Sequence, residues 1–282
     1  MLLRIQLPTF KTGSYLVQSN YLHHQPTRPL VYFDHWAMML FGGDSGLRRR
    51  FADSLRRTGG TLCLSTTHTG ELCRVDDARH ARDFDALLAE VMPRAFWIDT
   101  RRLLSERDRW TEYPPGDIHA AAEVMRSRRG DFGFYESVWT YGRRPRPGKS
   151  TLAEVFDTAT LSTAQAVDLA RQGEDFRRKA KTFQPKNGRA PAWVLLGELL
   201  RSTVLNDAQA FTANDSADMQ HALSLLHCDY VLLDGGWTAR AEGARKRLIE
   251  AGIRLGNVYS KRANGIDRFL ADMETPASAA AK

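Results

Sequence analysis

The feature that most restricts the fold is a short apolar run, Leu30-Val-Tyr-Phe33, launched by Pro29 and stopped by Asp34. It has no polar/apolar alternation, the pattern of a strand buried on both faces. Similar runs recur at residues 61–64, 95–98 and 230–233, the last stopped by Asp234, and a further strand is expected near 255–258. Helical stretches at 36–41, 44–58, 66–75, 77–91, 192–205, 216–226 and 238–250 separate them, with Gly42-Gly43 and Gly59-Gly60 as punctuation. Short buried strands alternating with helices predict an α/β chain with a parallel sheet built from βαβ units and helices on both faces.

The rhythm breaks between residues 101 and 190, which read as a largely helical, basic insertion. Two cationic stretches mark it: Arg143-Arg-Pro-Arg-Pro-Gly-Lys149, and Arg177-Arg-Lys-Ala-Lys181 running on to Lys186 and Arg189. Residues 1–29 read as a loose leader with room for an edge strand over 2–7, and the Ala-rich 271–282 as a disordered tail. The sheet-forming parts are then 30–100 and 191–270.

A chain of 282 residues, 43% hydrophobic and 26% charged, has enough apolar material for a substantial core, which excludes collagen-like and wholly disordered classes. No run reaches the roughly 18 apolar residues of a membrane span, and the first residues lack a signal peptide's apolar centre, so a cytoplasmic protein is expected. Three cysteines, Cys63, Cys73 and Cys228, suggest no disulfide framework or zinc spacing. Forty Lys and Arg against 33 Asp and Glu, a net charge of +7, favour a polyanionic partner.

Two carboxylates, Asp34 and Asp234, stand at the C-terminal ends of expected strands, the edge where open parallel sheets bind ligands. Glu71 lies about one and a half turns into the helix after the second strand, within reach of that edge. Asp218 opens the helix feeding the strand at 230, with Asp215 three residues earlier; acids there also suit a helix N-terminus. Gathered carboxylates repel one another unless a cation neutralises them, and hard Mg2+ or Mn2+ prefers such oxygens. Acids that hold metal inside a basic chain are a nuclease-like combination.

The wording around these acids resembles the PIN-like domain family of metal-dependent ribonucleases. An apolar strand ends in Asp34 and passes at once into a helix. Leu64-Ser-Thr-Thr-His-Thr-Gly-Glu-Leu72 is similar to the family's strand, serine and helical glutamate. Asn214-Asp-Ser-Ala-Asp-Met-Gln-His-Ala222 resembles its aspartate-bearing helix start, and Cys228-Asp-Tyr-Val-Leu-Leu-Asp234 its last strand, with Leu233 where the family often carries a hydroxyl. The resemblance covers residues 30–100 and 192–260. It implies a Rossmann-like, PIN-type core and an endoribonuclease using Mg2+ or Mn2+. Asp34, Glu71, Asp218 and Asp234 would then be catalytic metal-binding acids, Asp215 an auxiliary metal ligand, and Ser65 and Asn214 site support. Cleavage of single-stranded RNA would leave a 5′-phosphate and a 3′-hydroxyl, and an antitoxin or regulatory protein would be a further partner. Arg143, Arg144, Arg146, Lys149, Arg177, Arg178, Lys179 and Lys181 are the expected grips on the RNA backbone.

Rival readings remain open at this stage. The same acids suit a nucleic-acid-binding module with a degenerate site, or a metal-dependent phosphatase of a small phosphate ester. His35, His68, His80, His119 and His221 lack HExxH spacing and read mainly as surface or packing residues. His68 and His221, each three residues from a proposed acid, could instead bind a carboxylate or substrate. Ser65 lacks a nucleophile elbow and suits a helix N-cap, and neither glycine pair matches a nucleotide-binding loop. Trp110, Trp139 and Trp237 have polar neighbours, and Trp139 near Arg143 could stack on an unpaired base.

Overall fold

A computed structural model describes residues 26–92, 94–98, 133–185, 190–206, 210–262 and 264–275. The expected edge strand at 2–7, His119, Trp110, Lys186 and Arg189 lie outside these residues, as does most of the expected tail.

The chain is α/β. Strands β1 (Leu30–Phe33), β2 (Thr61–Ser65), β3 (Ala95–Ile98), β4 (Tyr230–Leu232) and β5 (Asn257–Tyr259) form one sheet in the order β3-β2-β1-β4-β5. Every pairing is parallel; Tyr32 sits opposite Cys63 on one side and Val231 on the other. The order reverses at β1, so β1 and β4, the strands that end in Asp34 and Asp234, are neighbours. In an open parallel sheet such a switch point leaves a crevice beyond the strand ends.

Strand alternation separates two cores. Val31, Phe33, Leu62, Leu64 and Leu232 point to one face, covered by α1 (His35–Gly43), α2 (Ser45–Thr58), α4 (Arg79–Val91) and α11 (Gly265–Glu274). There Phe33 stacks on Phe41 with ring centroids 4.7 Å apart, and Phe51 and Phe269 close the cluster. Tyr32, Cys63, Val231 and Leu233 point to the other face, covered by α6 (Leu152–Gln172), α8 (Pro191–Leu205), α9 (Ala213–Ala222) and α10 (Gly235–Glu250). A 3-10 turn, Leu223–Leu226, follows α9 directly.

Three elements differ from the sequence expectation. Helix α11 runs through Glu274 with Phe269, Leu270 and Met273 fully buried, so the sheet-bearing part extends past residue 270 and the tail cannot begin at 271. Helix α9 starts at Ala213 rather than 216, because Thr212 and Asp215 form a capping box about one turn earlier in the acidic segment. The last strand is displaced to Asn257–Tyr259, where Tyr259 reaches Asp272 of α11 with a 2.6 Å hydrogen bond.

The middle segment is built into the body of the protein. Helix α5 (Phe134–Gly142) buries Tyr135 against Phe84, and α7 (Glu174–Thr182) follows α6. Helix α6 rests on α3 (Thr66–Arg74), where Gly70 meets the Phe156 ring so closely that an added methyl would overlap it. Gly70→Ala should therefore destabilise by about 1–3 kcal/mol, as overpacking does. Chemical denaturation measures it; an unchanged midpoint would mean that α3 and α6 are not in contact in solution. Among the described residues no helix is long and apolar enough to cross a membrane.

Candidate functional site

Asp34 follows β1 directly and is the N-cap of α1: its Oδ1 accepts a 3.2 Å hydrogen bond from the Ala37 amide. Asp234 repeats the arrangement one strand over, capping α10 by accepting from the Trp237 amide at 2.7 Å. Capping thus places both carboxylates at the C-terminal edge of adjacent strands, one of them with only 2% of its surface exposed. Glu71 arrives from α3 and Asp218 from α9.

The four acids act on one another. Burial, followed by the charges of Asp218, Glu71 and Asp234, raises Asp34 well above the usual carboxylate range, against the opposing bond from Ala37. Burial, then Glu71, Asp234 and Asp215, pushes Asp218 up to about 8. No hydrogen bond or ion pair engages the Asp218 side chain among the described residues. Glu71 behaves differently. Burial alone would raise it, but the His221 charge and hydrogen bond, aided by His35 and His68, hold it below its ordinary value.

A buried chain of hydrogen bonds fixes Glu71 from behind. Its Oε2 lies 2.6 Å from His221 Nε2; His221 Nδ1 lies 2.6 Å from the Tyr32 hydroxyl, which lies 2.7 Å from Ser65 Oγ. Tyr32, Ser65, His68 and His221 are wholly inaccessible to solvent. His68 is the anchor: its Nδ1 accepts from the Ser65 amide at 2.9 Å, so its Nε2 carries the proton donated to the Phe33 carbonyl at 2.6 Å. Burial, then the His221 charge, lowers His68 to about 3, so it is neutral at physiological pH. Since the Glu71 carboxylate can only accept, His221 Nε2 donates to it, and the Tyr32 hydroxyl bridges His221 Nδ1 and Ser65 Oγ, which also lies 3.3 Å from His68 Nδ1. Ser65 is thus buried within this path, its hydroxyl bonded to Tyr32 and its amide to His68. His35 Nδ1 is buried 3.9 Å from Glu71 Oε2 and has no hydrogen-bond partner among the described residues.

The remaining expected residues divide. Asp215 is turned to its own helix, accepting from the Thr212 amide and hydroxyl at 2.9 and 2.7 Å. Its other oxygen faces Arg240 at 3.9 Å. Asn214 accepts from Arg74 at 3.1 Å, and Arg74 also pairs with Asp157 at 2.6 Å. Arg143 ties the end of α5 to the Cys73 and Val75 carbonyls and to Asp76, which makes it a fastening between helices. Arg144, Arg146 and Lys149 are exposed in the following turn, with Arg146 6.0 Å from the Tyr141 ring. On α7, Arg178 pairs with Asp175 at 2.6 Å, Lys179 lies over Phe176, Lys181 is exposed, and Arg177 reaches the Arg171 carbonyl. Trp139 donates its indole proton to Val75, so it is held against α3.

Sequence reading missed Tyr32 and two cations. Arg240, one and a half turns into the helix capped by Asp234, stacks its guanidinium 4.7 Å from the Trp237 ring, and its charge is felt by Asp218. Arg262 follows β5 and packs its stem against Gly235, beside Asp234. Arg240 carried a signal, its spacing from Asp234 along a helix; Arg262 had none.

Hard oxygen donors that repel one another suit a divalent cation, and Asp218, unpartnered among the described residues, with the buried Asp34 fits that donor chemistry. Among the described residues, however, no three His, Cys, Asp or Glu side chains converge closely enough to hold a metal ion as they stand. Comparison with models of protein families, with curated proteins and with solved structures finds no match to this chain.

Proposed function

We propose that the protein is a Mg2+- or Mn2+-dependent endoribonuclease of PIN-like type, acting at the edge where β1 and β4 end. One observation carries this reading: Asp34 and Asp218 are both raised by burial and by neighbouring carboxylates, Glu71 and Asp234 acting on each, an arrangement that costs stability and suggests use. Asp34, Glu71, Asp218 and Asp234 would hold the ion. When bound, it would offset their repulsion and supply an activated water for attack on phosphorus.

The chain's own residues would do the rest. His221, backed by Tyr32, holds Glu71 ionised and in one orientation, as outer partners of a metal site do. Arg240 and Arg262 flank Asp234 and can take a phosphate oxygen each. The +7 net charge supports capture of a polyanion. Cytoplasmic RNA, single-stranded, is the substrate class in this reading, and an antitoxin-like or regulatory protein would be a further partner.

The test is cleavage of a labelled single-stranded RNA by purified protein with Mn2+, with EDTA, and with Asp34→Asn. Cleavage that needs both the ion and Asp34 supports the assignment; equal cleavage by both proteins ends it. A second reading has its own support, since the carboxylates do not close into a ready three-ligand group. An RNA-binding module with a degenerate site would bind RNA in a salt-sensitive way, cut nothing, and be indifferent to Asp34→Asn.

A further inference from the structure

A concavity lined by none of the four carboxylates lies where α6, α7, α8 and α9 meet. Its volume is about 750 Å³, within the range of small-molecule sites. Val167, Phe183, Leu196, Leu200, Met219 and Leu223 supply much of an apolar lining, and Phe176 stands at its margin with 58% of its surface exposed.

The charges around it have one sign. Lys179 and Arg201 line the concavity, and no Asp or Glu does. Lys179 lies over the Phe176 ring at 5.7 Å, and no carboxylate pairs with it among the described residues. Behind Arg201 sits Glu198, with 1% of its side chain exposed, and its Oε1 is shared between Arg201 at 2.7 Å and Arg247 at 2.9 Å. One carboxylate therefore answers two guanidiniums, and with Lys179 the lining carries an excess of positive charge. An apolar concavity lined also by unbalanced cations is complementary to a molecule with an apolar chain and an anionic head.

We infer that this concavity binds a free single-chain amphiphile with an anionic head group, of the fatty-acid class. The apolar chain lies along α6 and α8, and the head group meets Lys179 and Arg201. The inference is independent of the nuclease reading, because no lining residue is among the carboxylates of the sheet edge.

Dodecanoate, kept below its micelle concentration and titrated calorimetrically into the full chain, is the probe. Saturable one-to-one binding is expected. Affinity should fall about fourfold for each methylene removed down to octanoate, as burial of a chain requires. Dodecanol should bind at least tenfold more weakly than dodecanoate, and Lys179→Gln should erase much of that difference. Ala166→Trp and Ala170→Trp, which put bulk into the trough from the open side of α6, should abolish binding while circular dichroism and melting temperature stay unchanged. The inference fails if dodecanoate shows no saturable binding, if both tryptophan variants bind it like the parent, or if the alcohol and the acid bind alike. It also fails if sedimentation shows the trough buried by a second copy of the chain, released by Ala166→Trp.

Discussion

Asp34→Asn is expected to lower Mn2+-dependent RNA cleavage by about 10²–10³-fold, the loss typical when one preorganised electrostatic partner of a transition state is removed. The substitution is a clean probe because Asp34 has two separable jobs. As an N-cap it only has to accept a hydrogen bond from Ala37, and asparagine does that about as well. As a member of the acidic cluster it has to carry a negative charge, and asparagine cannot. Folding should survive, since the amide also relieves the repulsion that Asp34 feels from Asp218, Glu71 and Asp234. The expected signature is thus activity lost with melting temperature equal or higher. Single-turnover cleavage read beside a thermal melt supplies both numbers, and a variant that loses stability and activity together would reduce Asp34 to its capping role.

Much of this arrangement was legible in the sequence for a physical reason. Strands buried on both faces cannot alternate, so residues 30–33, 61–64, 95–98 and 230–233 announce themselves as apolar runs, and the polar residue that ends each run marks the ligand-binding edge. Asp34 and Asp234 follow from that rule alone. The edge strand β5 is less marked because Asn257 is exposed and Val258 only partly buried. Helix α11 did have a signal, Ile266, Phe269, Leu270 and Met273 at helical spacing, but the Ala-rich residues after it make the segment read as tail. The middle segment reads as an insertion because its described residues contribute no strand to the sheet, although Ala164 and Val167 of α6 belong to the sheet's core.

What the sequence could not reveal is what meets across the sheet. The path from His68 through Ser65, Tyr32 and His221 to Glu71 joins two strands and two helices, and no local pattern indicates that Tyr32 turns toward α9. Basic stretches mislead in the opposite way: density of charge along the chain says nothing of partners. Arg143 and Arg178 are paired with Asp76 and Asp175, whereas Arg240 and Arg262, outside both basic stretches, stand next to Asp234, Arg240 also facing Asp215.

Asp218→Asn should stabilise the metal-free protein at pH 8 by about 2–3 kcal/mol. The sign follows from proton linkage. An unfolded aspartate titrates near 3.9, whereas in the folded chain burial and then the neighbouring acids push Asp218 up to about 8. Between those values the folded state holds a proton that the unfolded state has released. Raising the pH through this window therefore favours unfolding. Below pH 4 both states are protonated and the penalty vanishes; above pH 8 it is fully present. Each pH unit of the window is worth about 1.4 kcal/mol at most, and partial solvent access to Asp218 reduces the total. In EDTA the parent protein should melt several degrees higher at pH 5.5 than at pH 8.5, and Asp218→Asn should flatten that slope. Mg2+ should restore the parent at pH 8.5 and help the variant less, because the ion and the substitution remove the same repulsion. Asp34 shifts in the same direction, so the double variant should gain less than the sum of the singles, as coupled neighbours do. If instead Asp218→Asn lowers the melting temperature at pH 8.5, the carboxylate has a stabilising partner, and crowding of like charge at the β1–β4 edge cannot be what raises it.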